Sequence, residues 1–258
     1  MKKPASWVLV IGLLAITFSE LRHYAMLRHR YSSSTTTSSM VSVYVPRGVQ
    51  RQVTLPDGTT VNLNAASRLA YPRDMMEGPR IVELTGEAFF SVASISSRPF
   101  RVKARDMTVQ VLGTTFDLRD YPEETVYKTI VENGSIKVLY NDEQKVLHEG
   151  EEADVDITQL KGPAMTVKNG RDIEQAIGWT KGIIEFENAD LQTVLNDLSR
   201  AYNVDIQFEG TLPANKFYGS FSLQEPLEEV IQRLDFHDLH VSIKRENGQK
   251  LTILAKPS

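Results

Sequence analysis

The sequence predicts an all-β domain followed by a small α+β domain, and three observations support this fold class. Apolar and polar residues alternate with a period of two through most of residues 42–165. After residue 182, apolar residues recur at helical spacing in two short stretches. A Ser/Thr-rich run at residues 32–39 separates both regions from an apolar amino-terminal run. A period of two is typical of half-buried strands, and a period near 3.6 is typical of amphipathic helices.

The amino-terminal region is predicted to place the chain at a membrane. Residues 1–6 form a short basic tail, and residues 7–21 carry an apolar run without a charge before Glu20. This length suits a signal anchor whose flanking basic side chains reach the headgroups. A cleaved signal peptide and a buried core helix are the two alternatives. Residues 22–41 follow as a juxtamembrane and Ser/Thr linker that has little apolar surface to bury.

Residues 42–165 are predicted to form the β domain. Val82, Leu84 and Phe90 fall on one face of a strand, and Glu83 and Glu87 fall on the other. We therefore expect Glu87 at a surface or an interface rather than in the core.

Glycines divide the β domain into strands. Asp57-Gly58 and Asn133-Gly134 predict hairpin turns, because the second turn position takes a positive φ that glycine adopts at little cost. At Gly113 the inward-facing parity changes, which predicts a β-bulge. The irregular spacing of the strands fits a β-sandwich and a rolled β-solenoid equally.

After a connector at residues 166–181, residues 182–258 are predicted to contain one strand–helix–strand unit twice. The corresponding apolar helix positions are 36 residues apart: Leu191, Val194, Leu195 and Leu198 in the first unit, and Leu227, Val230, Ile231 and Leu234 in the second. A closing strand follows an Asn247-Gly248 turn. Because each unit has one apolar stripe to bury, we expect both helices on one face of a small sheet.

The residues that begin these helices are also predicted. Asn188 can cap the first helix through its side chain. Pro226 fits the first turn of the second helix, where a missing N–H costs nothing.

The composition excludes several kinds of chemistry. The chain has 258 residues, a net charge of −4 and no cysteine, so disulfides, thiolate metal sites and cysteine nucleophiles are absent. No nucleophile elbow, phosphate-binding loop or dinucleotide fingerprint occurs. His237 and His240 are three residues apart but have no third ligand nearby. We therefore predict a protein that is not an enzyme, with no catalytic, cofactor-binding or metal-binding residues.

The ordered series of motifs resembles the FecR family of sigma-factor regulators, in the form found in Bacteroidetes. The matching segments are LPDGTTVNLNAAS at residues 55–67, VELTGEAFFSV at residues 82–92, PFRV at residues 99–102, VLGTTFDL at residues 111–118 and WTKG at residues 179–182. The second domain is similar to the short secretin and TonB-receptor signalling domain. The resemblance covers residue 42 to the carboxyl terminus.

This resemblance implies a single-pass protein of the inner membrane with most of its chain in the periplasm. It implies that the protein binds the signalling domain of a TonB-dependent outer-membrane transporter and relays a signal to an extracytoplasmic-function sigma factor. Family members carry a cytoplasmic helical domain before the membrane segment, whereas here residues 1–6 precede it. We therefore expect direct contact with the sigma factor to require residues outside this chain.

The partner surface is predicted to be an open strand edge of the second domain, to which a partner strand adds. Phe217, Tyr218 and Phe221 are the candidate contacts. The alternative function is a structural or glycan-binding envelope protein, which would present exposed aromatic side chains along one sheet face.

Overall fold

A computed structural model describes residues 39–159, 161–169, 173–209, 214–234, 239–246 and 250–257. The predicted membrane segment at residues 7–21 and the Asn247-Gly248 turn lie outside these ranges. Residues 40–258 form one compact unit. Within it, two hydrophobic cores are built from different stretches of the chain.

The first stretch, here called the β module, consists of strands, as predicted. They are β1 Met40–Tyr44, β2 Arg51–Thr54, β3 Thr60–Leu63, β4 Arg68–Pro72, β5 Arg80–Ser91, β6 Phe100–Ala104, β7 Met107–Val111, β8 Thr115–Asp120, β9 Val126–Asn133, β10 Ser135–Tyr140, β11 Glu143–His148, β12 Glu151–Asp156 and β13 Met165–Asn169. The first strand begins two residues before the predicted start at 42. The last strand extends into the segment predicted as a connector.

The long strand β5 organises the β module because it belongs to two sheets. Its first half pairs with β4 and β6, in the sheet order β1-β4-β5-β6-β7-β10-β11. Its second half pairs with β3 and β8, in the sheet order β2-β3-β5-β8-β9-β12-β13. The two sheets enclose one core, in which the rings of Phe90 and Phe116 stack at 5.1 Å between centroids. Because both halves share β5, the strands form one large, nearly closed sheet that surrounds a single core.

The Asp57-Gly58 turn is a hairpin between β2 and β3, as predicted. The Asp57 carboxylate accepts hydrogen bonds from the Thr59 backbone N–H at 3.0 Å and from Arg80 Nε at 2.7 Å. Arg80 and Asp57 have almost no exposed side chain, and the other guanidinium nitrogens of Arg80 donate to backbone carbonyls. The turn therefore also neutralises the arginine that begins β5, which the local pattern did not indicate.

Two other glycine predictions were wrong. Gly134 does not form a hairpin, because β9 pairs with β8 and β12 whereas β10 pairs with β7 and β11. With φ at 93°, Gly134 instead turns the chain from one sheet into the other. Gly113 is not in a bulge but in the connection between β7 and β8, where an added Cβ would lie 2.5 Å from Ser94 Cβ. The inward-facing positions change at Gly113 because the chain passes there from the first sheet, which contains β7, to the second sheet, which contains β8.

The second stretch, here called the C-terminal module, alternates strands and helices. They are β14 Ile183–Ala189, α2 Leu191–Tyr202, β15 Asp205–Glu209, β16 Phe217–Ser222, α3 Leu227–Arg233, β17 Leu239–Glu246 and β18 Lys250–Pro257. A short helix α1, Ile173–Ala176, and a 3-10 helix, Gly178–Lys181, connect it to the β module. All eight predicted apolar helix positions are buried in the second core.

The prediction of a single small sheet was wrong. Strands β14 and β16 form one antiparallel pair, and β15, β18 and β17 form a separate sheet. Equivalent strands of the two units therefore group together, and the helices bury their apolar faces against a core that both sheets contribute to.

The cap of α2 also differs from the prediction. Asp190 accepts a hydrogen bond from the Thr193 N–H at 2.8 Å and is the N-cap, whereas Asn188 lies within β14 with φ at 52°. Either side chain can cap, and the two-residue difference reflects the irregular end of β14. Pro226 directly precedes α3 as its N-cap.

Candidate functional site

The C-terminal module and its connector lie against the outer face of the second sheet of the β module. Trp179 of the 3-10 helix is buried there, and its Nε1–H donates to Asp117 Oδ1 at 3.3 Å. Gln50 Nε2 donates to the Trp179 carbonyl at 2.8 Å. Trp179 is therefore fixed by hydrogen bonds to two residues of the β module that are far from it in the sequence.

The segment after β1 holds the carboxyl end of α2. Arg47 donates from Nη2 to the carbonyls of Ser199 at 2.8 Å and Val204 at 2.5 Å, and the Gly48 N–H donates to the Arg200 carbonyl at 2.7 Å. The last carbonyls of a helix lack partners within the helix and carry its negative dipole end. Arg47 of the β module adds a donor to the Ser199 carbonyl and places a positive charge at this negative end of the helix.

A group of charged side chains, here called the charge cluster, joins the two modules. It contains Glu87, Arg119, Glu123, Glu124, Asp197 and Arg200. Arg119 of β8 donates to both oxygens of Glu124, at 2.6 and 2.9 Å, and to Asp197 of α2 at 2.6 Å. Arg200 of α2 donates in turn to Glu123, Glu124 and Asp197. The two arginines therefore share carboxylates that come from both modules.

Glu87 completes the charge cluster from β5. Its side chain is 6% exposed, it lies 3.6 Å from Arg119 Nη1, and it accepts a hydrogen bond from Asn64 Nδ2 at 2.6 Å. It stands on the face of β5 opposite Phe90, as the alternation predicted, and the C-terminal module makes that face an interface.

Tyr121 forms the centre of the charge cluster. The Arg200 guanidinium carbon lies 3.6 Å from the centre of its ring, and that of Arg119 lies at 5.2 Å. The Tyr121 hydroxyl donates to the Ala65 carbonyl at 2.9 Å. A cation over an aromatic face is stabilised most when both groups are removed from water, as they are here.

Burial and charge move the pKa values of the two central carboxylates in opposite directions. Burial raises the pKa of Glu87, and Arg119 only partly offsets it. Asp197 is also desolvated, but the attraction of Arg119 and Arg200 outweighs this and lowers its pKa. Asp197 is therefore held ionised between the two arginines, while Glu87 takes up a proton more readily than an exposed glutamate does.

A cleft of about 600 Å³ opens beside the charge cluster. Its floor is the outer face of the second sheet, and its roof is β14 with one face of α2. The described residues that line it include three cations, Arg119, Lys128 and Arg200, and nine carboxylates, Glu87, Asp117, Glu123, Glu124, Glu152, Glu185, Glu187, Asp190 and Asp197. The cleft is therefore strongly acidic.

The cleft has the chemistry of a binding surface for cationic groups. Within the described ranges, no three His, Asp or Glu side chains are arranged as metal ligands. Glu124 and Asp197, which line the cleft, engage arginines instead of facing an open position.

Two family models match the chain in the regions of the two modules. The model described as FecR protein matches residues 41–137, and the model described as FecR, C-terminal matches residues 183–253. The chain belongs to the FecR family. Membership of this family of sigma-factor regulators confirms the resemblance seen in the sequence.

Two solved structures are similar to this FecR-family chain. Both are crystal structures of a proposed anti-sigma factor from Parabacteroides distasonis ATCC 8503, and both are 29% identical to it. The first has a TM-score of 0.75 and covers 84% of this chain and 100% of its own; the second has a TM-score of 0.73 and covers 83% and 98%. No match was found among curated proteins.

The charge cluster is the feature of this FecR-family chain that sequence reasoning missed. Glu87, Arg119 and Glu124 lie in the first matched region, and Asp197 and Arg200 lie in the second. The available signal was Asp197 and Arg200, three residues apart on the polar side of a predicted helix, but such a pair usually faces solvent.

The structure buries two of the three predicted contact residues and exposes the third. Phe217 and Phe221 are 3% and 4% exposed and belong to the second core, so they do not present a surface. Tyr218 is 66% exposed, and its hydroxyl donates to Asn188 Oδ1 at 3.2 Å. Within the described part of this FecR-family chain, no helix is both long and apolar enough to cross a membrane.

Proposed function

We propose that the chain is a signal-relay protein of a sigma-factor regulatory system, and that its C-terminal module binds the signalling domain of a TonB-dependent outer-membrane transporter. FecR-family membership and the similarity to a proposed anti-sigma factor support the regulatory role. The residues at 7–21 would hold the chain in the inner membrane, with both modules in the periplasm. The sigma factor would be reached through residues or a partner on the other side of that membrane.

The observation that carries this proposal is the pair of small open-edged sheets in the C-terminal module. The β14–β16 sheet has two strands among the described residues, so each strand has one strand neighbour and one outer edge. Open edges are templates for adding a strand of another protein. Tyr218 on β16 is the candidate contact that remains exposed.

The charge cluster connects the C-terminal module to the β module, so a partner that binds the C-terminal module can affect the β module through it. Asp197 and Arg200 of α2 are fixed to Arg119, Glu123 and Glu124 of the β module. Displacing α2 would separate buried opposite charges, which is costly unless the modules move together. In the proposed relay, partner binding changes the position of the C-terminal module, and the ion pairs of the charge cluster transmit this change to the β module.

Calorimetric titration tests the proposal. The full-length chain is titrated with the periplasmic signalling domain of each TonB-dependent transporter in the same genome that carries one. We expect one domain to bind, and Tyr218→Ala to weaken it. Tyr44→Ala is the matched control, because Tyr44 is 64% exposed on β1 and Tyr218 is 66% exposed on β16. Absence of binding to every such domain would refute the relay proposal, and equal effects of the two variants would refute the role of Tyr218.

The glycan-binding alternative is not favoured by the surface. Among the described residues, the large exposed aromatic side chains are Tyr44 on β1 and Tyr218 on β16. They lie on strands of different sheets, whereas a glycan platform needs neighbouring rings on one face.

A further inference from the structure

The outer edge of β14 faces the acidic cleft. All seven residues of β14 line the cleft, although side chains of a strand alternate between two faces. Ile184 and Phe186 turn into the second core, and Glu185 and Glu187 lie on the other face. A strand whose every residue borders a cavity presents its backbone edge to it.

The hydrogen-bond register shows which backbone groups point outward. The Leu223 N–H donates to the Gly182 carbonyl at 2.8 Å, so this is a hydrogen-bonded pair. Opposed residues in an antiparallel ladder alternate between hydrogen-bonded and non-hydrogen-bonded pairs. Ile184 and Phe186 therefore bond to β16, and the N–H and C=O groups of Glu185 point away from β16 into the cleft.

The 3-10 helix limits this edge at its beginning. A Cβ added to Gly178 would lie 3.4 Å from the Ile183 carbonyl oxygen, so that end of β14 is covered. Glu185 and the residues after it line the cleft, and the regular pairing of β14 with β16 extends to Phe186. A strand added there would run about 4.8 Å from β14, within the cleft and above the second sheet.

The charge of the cleft defines the segment that would fit. Nine carboxylates and three cations line it, and the charge cluster accounts for two of these cations and four of these carboxylates. The remaining five carboxylates outnumber the one remaining cation, Lys128. An added strand with alternating basic side chains would place positive charge next to Glu185 and near the carboxylates on the outer face of the second sheet. A strand carrying carboxylates would be repelled.

We propose that the outer edge of β14 is a docking site for an extended, positively charged segment of a partner protein, which adds to the β14–β16 sheet as a third strand. The proposal rests on the proposed function in that the transporter's signalling domain is the partner that supplies this segment. Main-chain hydrogen bonds to β14 give the segment its affinity, and the surrounding carboxylates select its charge.

Three labelled octapeptides test the site on the full-length chain by fluorescence anisotropy. The first alternates lysine and valine, the second alternates glutamate and valine, and the third is the lysine peptide with alternate backbone nitrogens methylated. We expect the lysine peptide to bind at least about tenfold more tightly than either of the others. Its affinity should fall as the salt concentration rises from about 50 to about 300 mM. Equal binding of the methylated peptide would overturn strand addition, and equal binding of the glutamate peptide would overturn charge selection.

Charge reversal locates the site. Glu185→Lys on β14 should weaken the lysine peptide at least about tenfold, while Glu83→Lys should leave it unchanged. Glu83 is the matched control because it is an exposed glutamate on β5, on the outer face of the first sheet. Equal weakening by both variants would overturn the assignment to the cleft.

The same variants separate this inference from the proposed function. If a transporter signalling domain binds the wild-type chain and Glu185→Lys equally, the docking site is wrong while the relay proposal stands. If the lysine peptide binds and responds to Glu185→Lys but no signalling domain binds, the docking site stands and the identity of its partner is wrong.

Discussion

Replacing Arg119 by methionine should destabilise the protein strongly. The substitution keeps most of the side-chain volume but removes the cation that pairs with Glu124, Asp197 and Glu87. Arg119 is 16% exposed, and these three carboxylates are 12%, 14% and 6% exposed. Removing one partner of a buried ion pair costs about 3–5 kcal/mol. Because Arg200 still neutralises part of the negative charge, we expect a loss near the lower limit, about 3 kcal/mol.

Urea unfolding measures this loss. A loss of about 3 kcal/mol at a slope of about 2–3 kcal/mol per molar urea lowers the midpoint by about 1–1.5 M. Far-UV circular dichroism follows the whole fold, and the fluorescence of the buried Trp179 follows the contact between the modules. Arg101→Met is the control, since Arg101 is exposed on β6 and donates to Gln110. A midpoint for Arg119→Met equal to that of Arg101→Met would refute the charge cluster as a source of stability.

A double-mutant cycle then measures the interaction energy between Arg119 and Asp197 separately from their other contacts. Asp197→Asn removes the charge of Asp197 while keeping its shape. If the two residues interact across the modules, the losses of Arg119→Met and Asp197→Asn should fail to add by about 0.5–3 kcal/mol. Additive losses would show that Arg119 and Asp197 act independently.

Three further predictions concern single positions. Burial raises the pKa of Glu87 above its ordinary value of 4.5, so its contribution to stability is fully present below that value and is lost as the pH rises through the raised pKa. Glu87→Gln should therefore match the wild type near pH 4 and unfold at higher urea concentration near pH 7, and a gain that is independent of pH would contradict this. Gly86→Ala should cost at least about 1 kcal/mol more than Gly150→Ala in the same assay, because both have positive φ but only at Gly86 would a Cβ collide with the Ser67 side chain. Equal losses would contradict this close approach. Phe221→Ala should lose about 3–5 kcal/mol and Tyr218→Ala less than about 0.5 kcal/mol, and the reverse order would contradict their burial.

The motifs of the sequence were sufficient to assign the family and the type of each module. Period-two alternation predicted the strands, and the repeated helical stripes predicted all eight leucine, valine and isoleucine positions now found in the second core. These features are local, because burying one face of a strand or helix requires a repeat that is readable within a few residues.

The partners of each element could not be read in the same way. The glycine at 134 allows a sharp turn in any context, and only the sheet order shows that it links two sheets rather than two neighbouring strands. Likewise, the repeat of two units did not reveal that their strands would separate into two sheets. Strand pairing depends on contacts between residues far apart in the chain, which local periodicity does not contain.

By itself, the sequence determined which side of each strand and helix is apolar, and it placed Glu87 correctly on the polar side of β5. Only the tertiary structure decided that Glu87 would be buried there, whereas Glu83 on the same side stays exposed. Charged side chains leave water when opposite charges from elsewhere in the chain meet them, and here Arg119 on β8 and Arg200 on α2 come together with Asp197 and Glu124. The acidic cleft arises from the same packing, since its lining comes from both the second sheet and the C-terminal module.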